Sequence, residues 1–346
     1  MLQALRWKLF AILVSAAVVL SACRAVSSTV APVSVPPAAD QVHPVHLISL
    51  AGPAAEKQAE LSGMTNADGL IWLLPQYPSR FKGGPGGAVF AFNETEAESA
   101  IANKTELTPR SIPFDDEGLS RSVEGFDGFE GIAICGNDVY LTIEVRGAAE
   151  PAGYLVRGTI DAQDGRIVLS AESLTPLIGP VAIYNHSFES VFCTNNRVVT
   201  MFEANGRNID PKPVALVFER DLTPVAEKEF PALEYRVTDA TPPDDQGKFW
   251  VVNYFFTGDK SKLQPADDQW GNAEGHGIAL GVERLVELQW DEEKGISLAD
   301  AEPIWLEKGP EERNWEGAAR LGDGGILLAT DSYPSTLIGY VDLATP

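Results

Sequence analysis

The sequence predicts an all-β fold, a β-propeller of five four-stranded blades. A pattern of two short apolar runs separated by a Gly, Asn or Asp turn recurs five times along the 346 residues. This pattern is typical of a β-hairpin, and each hairpin is followed by further strand-like segments. No segment carries a long apolar period of 3.6 residues. Repeated units of about four strands predict a propeller.

Each repeat begins with a leading polar residue and ends with a closing polar residue. The leading residues are Ser62, Glu130, Glu189, Thr238 and Glu316, and the closing residues are Gln76, Glu144, Glu203, Asn253 and Asp331. The two are separated by 14 residues in three repeats and by 15 in the other two. This regular spacing predicts equivalent positions in successive blades.

The fifth repeat lacks a fourth strand, because the printed sequence stops at Pro346. We expect the strand-like segment 45–50 to complete the last blade and close the ring. The interval of 78 residues between Thr238 and Glu316 leaves six blades as an alternative. Its excess, about 257–280, is polar and rich in glycine, which favours a loop.

The N-terminus has the pattern of an export signal. Arg6 and Lys8 precede the apolar run 9–20, whose 12 residues are fewer than the roughly 20 that span a bilayer. The run ends in Leu-Ser-Ala-Cys at Cys23, which resembles the lipobox of bacterial lipoproteins. The resemblance implies a signal peptide at 1–22, a lipid on Cys23, a tether at 23–44 and a single propeller domain at 45–346. It also implies export to the extracytoplasmic side, with Arg24 favouring the outer membrane where one exists.

The composition restricts the partners. A net charge of −23 excludes nucleic acid and anionic lipid surfaces as ligands, and is compatible with cations or a basic partner. We expect a monomer. Cys135 and Cys193 come shortly after the leading residues of adjacent repeats, so they could form a disulfide or miss each other.

Adjacent blades would bring the leading residues to one mouth of the central channel. Three glutamates converging there repel each other, so they either bind protons at higher pH or hold a cation, for which calcium is the first candidate. The alternative is that these carboxylates end their strands in solvent. The sequence therefore predicts calcium as cofactor.

The order of the leading residues resembles that of the calcium-activated apyrases, five-bladed propellers whose calcium ligands are Ser, Glu, Glu, Ser and Glu. The resemblance implies the ligands Ser62, Glu130, Glu189, Thr238 and Glu316, with Thr in place of the second Ser. Two phrases, at 130–134 and 314–321, also resemble phytase-like esterase and regulator-linked lipoprotein propellers, which are usually six-bladed.

Further polar groups are expected around the same mouth, where they would bind substrate. They are Arg80, Lys82, Glu144, Arg146, His186, Glu203, Arg207, Asn253, His276 and Asp331. Basic groups beside a metal suit an anionic substrate, although the arginines could instead pair with the glutamates. We therefore expect a calcium-dependent hydrolase of an anionic ester such as a phosphoester, with catalytic residues unknown. The alternative is a non-catalytic module that binds a sugar, peptide or protein at the channel mouth, in an aromatic-lined groove for which Trp270, Trp315 and Tyr333 are the available residues.

Overall fold

The structure is a computed structural model that describes residues 42–146, 151–161, 165–194 and 196–344. Its strands form five blades, so the predicted all-β propeller is confirmed. The predicted signal peptide, Cys23 and most of the tether lie outside the described residues. In the described part, no helix is both long enough and apolar enough to cross a membrane.

The first two blades follow two short N-terminal strands. The N-terminal strands are β1 (Val42–His43) and β2 (His46–Ile48). Blade 1 contains β3 (Leu61–Ala67), β4 (Leu70–Pro75), β5 (Gly87–Asn93) and β6 (Arg110–Asp115). Blade 2 contains β7 (Phe126–Cys135), β8 (Asp138–Val145), β9 (Gly153–Ile160), β10 (Ile167–Leu169) and β11 (Thr175–Leu177).

Three further blades complete the ring. Blade 3 contains β12 (Ser190–Cys193), β13 (Arg197–Met201), β14 (Val214–Glu219) and β15 (Pro224–Glu229). Blade 4 contains β16 (Arg236–Ala240), β17 (Lys248–Phe255), β18 (Val282–Asp291), β19 (Gly295–Leu298) and β20 (Ile304–Leu306). Blade 5 contains β21 (Trp315–Leu321), β22 (Gly325–Thr330) and β23 (Ile338–Asp342).

The N-terminal strand closes the last blade, as predicted. β2 pairs antiparallel with β23, with Leu47 opposite Gly339. β1, which falls within the predicted tether, instead adds to blade 4 by pairing with β20. The N-terminal segment therefore contributes one strand to blade 4 and one to blade 5.

The inner strands β3, β7, β12, β16 and β21 contact one another in that circular order, which defines the central channel. Their hairpins have tight turns of the expected chemistry. Asp68 and Gly69 join β3 to β4, with left-handed φ angles of 50° and 74°, a conformation that Asp and Gly accept more readily than other residues.

The long segment between β17 and β18, which allowed a sixth blade in the sequence analysis, is a loop. Between β17 and β18 the chain forms only short helical segments and a single isolated bridge. Helices are few in the described residues. They are α1 (Glu94–Asn103), α2 (Leu119–Ser122), α3 (Lys260–Leu263) and the 3₁₀ turns Pro53–Ala55, Lys57–Ala59, Pro78–Arg80, Ala171–Ser173 and Thr257–Asp259.

Adjacent blades pack through apolar side chains and are also linked covalently. Phe114 of blade 1 and Phe129 of blade 2 pack edge to face, with ring centroids 5.4 Å apart. Cys135 at the end of β7 and Cys193 at the end of β12 form a disulfide, with a Cα–Cα distance of 6.3 Å. The inner strands of blades 2 and 3 are therefore tied together at the ends opposite the glutamates.

Candidate functional site

The leading residues coincide with irregularities of the inner strands. The strand register shifts at Ser62, Glu130, Thr238 and Glu316, and Glu189 directly precedes β12. A bulge re-aims side chains that a regular strand would point into its neighbours. In four of the five blades the recurring polar position is therefore where the inner strand interrupts its pairing, and in blade 3 it lies just before the inner strand.

The glycines that follow leading residues have a packing role. A Cβ atom on Gly63 would lie 2.6 Å from the carbonyl oxygen of Glu130, and one on Gly131 would lie 2.5 Å from that of Glu189. Both distances are shorter than a side chain tolerates. The recurring glycine therefore allows adjacent inner strands to approach closely.

Blade 4 has Asp239 instead of glycine after its leading residue. The Asp239 carboxylate accepts backbone N–H groups from Met64 (3.1 Å), Ala318 (2.8 Å) and Ala240 (2.8 Å). Burial raises the pKa of Asp239 well above its usual range, against the lowering effect of these donors. This side chain joins blades 1, 4 and 5, a role that the sequence reasoning missed.

The mouth contains a cavity of about 520 Å³, here called the acidic cavity. Its carboxylates are Asp127, Glu130, Glu144, Glu189, Glu316 and Asp331. Two arginines, Arg146 and Arg236, also line it. The three predicted channel glutamates therefore share one cavity, and its carboxylates outnumber its basic side chains by six to two.

Arg236 lies among the glutamates. Its Nη2 donates to Glu189 Oε1 at 2.7 Å and approaches Glu316 Oε1 at 3.4 Å, and its Nε donates to Glu203. The sequence reasoning missed this residue, although its position two residues before the leading Thr238 was a usable signal. A guanidinium of the chain itself thus lies between two of the predicted metal ligands.

This single buried cation does not neutralise the cavity. Burial and the nearby Glu203 raise the pKa of Glu144 to about 8, and burial and Asp331 raise that of Glu316 to about 8. Burial also raises the pKa of Glu130 and Glu189 well above the usual range. We therefore expect the carboxyl groups of this cavity to hold protons at neutral pH.

Two of the five predicted calcium ligands make hydrogen bonds within the fold. The hydroxyl of Ser62 donates to the Glu60 carbonyl at 3.3 Å, and that of Thr238 donates to the Trp315 carbonyl at 2.6 Å. Arg236 bridges Glu189 and Glu316. Among the described residues, no group of three or more His, Cys, Asp or Glu side chains is arranged to hold a metal ion. Calcium stays a prediction.

Three of the residues predicted to bind substrate line the acidic cavity: Glu144, Arg146 and Asp331. Arg146 is exposed and pairs with Asp127 at 2.9 Å. Glu203 lies deeper, fully buried, where it accepts the Ser187 N–H at 2.7 Å and binds Arg236. It supports the wall of the cavity.

The other predicted basic groups lie outside the lining of this cavity. Arg80 pairs with Glu60 and lies 4.2 Å from the ring centroid of Tyr77. Lys82 and Arg207 are exposed. Arg80 and Arg146 therefore both pair with neighbouring acidic side chains, which is the alternative that the sequence left open.

Two predicted mouth residues prove to be part of the core. His276 is buried against Trp305, with Nε2 3.0 Å from the Leu306 carbonyl and Nδ1 3.3 Å from the Glu283 backbone nitrogen. Asn253 is fully buried and donates to the Glu234 and Arg236 carbonyls. These contacts use both side chains within the fold, which corrects their assignment to the mouth.

His186 is also buried. Its Nδ1 lies 3.2 Å from the Tyr184 carbonyl, and its Nε2 has no hydrogen-bond partner. It does not line the acidic cavity, whereas its neighbours Tyr184 and Asn185 do. The loop before blade 3 therefore contributes to the mouth through those two residues.

A second cavity, of about 390 Å³, adjoins the first through the shared residues Arg236 and Asn314. We call it the aromatic cavity, because Tyr254, Phe256 and Tyr333 line it. Of the three aromatics expected from the sequence, only Tyr333 lies here. The other two pack inside the fold: Trp315 is fully buried, and Trp270 packs against Arg284.

No family model and no curated protein matches the chain. Similar solved structures include the glutaminyl cyclase of Myxococcus xanthus (10% identity, TM-score 0.43, 87% of this chain and 98% of that one). The arabinanase Arb43A of Bacillus subtilis has 10% identity and a TM-score of 0.43, over 82% of this chain and 94% of that one. An α-L-arabinofuranosidase of Clostridium thermocellum has 11% identity and a TM-score of 0.45, over 78% of this chain and 81% of that one. Function is therefore argued from the site of this chain.

Proposed function

We propose that the protein is an exported, lipid-anchored propeller whose acidic cavity hydrolyses a glycoside or ester by general acid–base catalysis. The observation that carries the proposal is the set of six carboxylates in one cavity, two of which have a pKa of about 8. A carboxyl group of this kind keeps its proton at neutral pH and can donate it to a leaving group.

The cavity also supplies a base. Asp127 forms an ion pair with Arg146 and accepts a hydrogen bond from the Tyr77 hydroxyl at 3.0 Å. We assign Asp127 as the base that takes a proton from water, while Glu144 or Glu316 supplies one to the leaving group. Acid and base in one cavity are the minimum that hydrolysis of this kind needs.

The direct test is hydrolysis by the full-length protein, assayed with chromogenic glycosides, carboxyl esters and phosphoesters. We expect Glu144→Gln or Glu316→Gln to lower the rate about 10²- to 10⁴-fold, the usual effect of losing a general acid. Glu227→Gln, exposed on the outer strand β15, is the matched control and should keep the rate. Activity that survives in both cavity variants would refute the proposal.

A calcium-dependent phosphoester hydrolase is the second candidate. It is favoured by two buried carboxylate oxygens without a hydrogen-bond partner, Glu189 Oε2 and Asp331 Oδ1, which are the hard ligands that calcium prefers. In this case hydrolysis should require calcium and stop with a chelator. Calcium should also raise the unfolding temperature, and Glu189→Gln should reduce that shift.

The anchor is tested separately. Cys23→Ser removes the proposed acylation point, so the variant should accumulate as an unprocessed or mislocalised precursor. Cell fractionation followed by mass spectrometry of the N-terminus measures this. Normal membrane retention of the variant would contradict the lipoprotein proposal without affecting the hydrolase proposal.

A further inference from the structure

The acidic and aromatic cavities form one continuous surface at the channel mouth. They meet at Arg236 and Asn314, which line both. A ligand bound at this junction would contact carboxylates on one side and aromatic rings on the other. The chemistry of both sides therefore restricts what binds.

The acidic side contains a buried carboxyl oxygen that has no hydrogen-bond partner among the described residues. Glu189 is only 6% exposed and lines the cavity, yet its Oε2 accepts no hydrogen bond. Burying a carboxylate oxygen without a partner is costly. Arg236 already donates to Glu189 Oε1, so an ammonium group can bind the remaining oxygen in place of the proton that burial otherwise favours on this carboxyl group.

The aromatic side exposes two aromatic side chains to solvent. Phe256 is 45% exposed and Tyr333 is 51% exposed. Both lie in loops between the second and third strands of their blades, beside the buried Tyr254. Glu312 and Asp259 complete the lining, and Asp259 pairs with Lys262 at 3.1 Å. Aromatic faces beside carboxylates attract an organic cation through its charge and its apolar surface together.

Other ligand classes match this surface less well. An anion would meet six carboxylates and two arginines that are already paired. A bare metal ion gains nothing from the rings, and the described residues contain no preformed metal group. An ammonium group with an attached flat apolar portion matches both cavities.

We propose that the channel mouth binds an organic ammonium ligand, with its amine among the carboxylates near Glu189 and its apolar portion against Phe256 and Tyr333. The inference builds on the proposed function by naming the class of substrate that the hydrolytic cavity takes. It depends on that function only for catalysis, because binding can be measured alone.

The test is calorimetric titration of the full-length protein with 2-phenylethylamine. The matched probes are 2-phenylethanol, which is neutral, and 3-phenylpropanoate, which is an anion. We expect the amine to bind at least about tenfold more tightly than the alcohol, and its affinity to fall with added salt. The anion should show no binding.

The variants divide the surface into its two halves. The double variant Phe256→Ala/Tyr333→Ala and the single variant Glu189→Gln should each weaken amine binding about tenfold or more. Leu47→Ala removes a comparably exposed apolar side chain on β2 and should leave binding unchanged. Since both aromatics are exposed, their truncation should leave the thermal unfolding curve unchanged.

Two results would overturn the inference: equal affinity for amine and alcohol, or amine binding that the aromatic double variant does not weaken. Failure of the hydrolase proposal looks different. In that case the amine binds and both halves of the surface respond to substitution, but no ammonium-bearing ester or glycoside is hydrolysed. Hydrolysis of neutral substrates without amine binding would sustain the proposed function and reject the inference.

Discussion

Two buried arginines in blade 4, Arg236 and Arg284, have opposite surroundings. Arg284 pairs with one carboxylate, Asp268 (2.5 Å), and donates to Asn253 at 2.8 Å. Its guanidinium lies 4.7 Å from the ring centroid of Trp270 and 4.9 Å from that of Trp305. Arg236 instead faces three carboxylates, those of Glu189, Glu203 and Glu316.

A buried charged side chain does not by itself indicate a functional site, because Arg284 is buried and paired with a single carboxylate. A buried cluster in which carboxylates outnumber the cations, as around Arg236, is a better indication of a functional site. The charge of Arg284 is balanced by one carboxylate, and aromatic rings pack against the rest of its guanidinium. At Arg236 the carboxylates are in excess, and the pKa of Glu316 rises to about 8, with burial as the largest cause. Unbalanced charge costs stability, so its presence in a cavity indicates function.

The largest expected effect comes from removing the cation of the unmatched site. Arg236→Met leaves Glu189, Glu203 and Glu316 without their shared partner, which should cost about 3–5 kcal/mol of unfolding free energy at pH 8. The loss should shrink towards pH 5, because Glu189 and Glu316, whose pKa values are raised by burial, can then protonate. Urea unfolding at several pH values measures it.

Arg284→Met is the matched comparison. It should cost a similar amount at pH 8, because Asp268 loses its partner and the packing against Trp270 and Trp305 is disturbed. The loss should vary less with pH, since one carboxylate rather than three is affected. Parallel pH dependences for the two variants would contradict the distinction between matched and unmatched sites.

The second prediction concerns the pH dependence of the parent protein. The folded-state pKa values of Glu144 and Glu316, about 8, lie above their unfolded values near 4.5, so the folded state binds more protons in between. The contribution of these two groups to stability should therefore be largest below about pH 4.5 to 5. It should fall as the pH rises towards 8. A single such group changes the unfolding free energy by on the order of 4 kcal/mol over three pH units.

Glu316→Gln and Glu144→Gln should each flatten this slope and stabilise the protein at pH 8, because the amide cannot ionise. Glu227→Gln, an exposed substitution, should leave the slope unchanged. If the parent protein were equally stable at pH 5 and pH 8, the excess of charge in the acidic cavity would not exist in solution.

A third prediction separates covalent from electrostatic stabilisation. The disulfide between Cys135 and Cys193 closes a loop with a sequence separation of 58 residues. Cys135→Ser/Cys193→Ser should lower the unfolding free energy by about 2–4 kcal/mol. The pH slope should remain that of the parent protein, because the bridge carries no charge. A changed slope would show that the bridge also positions the glutamates of β7 and blade 3.

The fold was largely predictable because its signals are local. Turns such as Asp68–Gly69 and the regular spacing of leading residues predicted the hairpins and the blade number. The closing strand was predicted because the last repeat lacks a fourth strand and segment 45–50 has no partner before the first repeat. Helix α1 was missed, although Asn93 and Glu96 form a capping box at its start. Its apolar face is weak, so periodicity gave no indication of it.

The site was predictable only in part, because side-chain direction depends on long-range packing. The leading glutamates were found through their recurrence. Arg236 and Asp239 have no equivalent residue at the same position in the other blades, so recurrence could not reveal them. The register shift between Val237 and Asp239 then decides the direction of the side chains in their strand. His276 had the right chemistry for a mouth residue, but the packing of its loop on Trp305 directs it into the core.

The smallest expected effect on stability is that of Arg146→Gln. Its side chain is 68% exposed and pairs with Asp127 at 2.9 Å, and exposed ion pairs contribute little because water and salt screen them. The urea midpoint should therefore stay at that of the parent protein at both low and high salt. The hydrolysis rate should still fall, because Asp127 loses the ion-pair partner that holds its carboxylate in position. A large drop in the midpoint would instead place Arg146 with Arg236, as a cation that the fold requires.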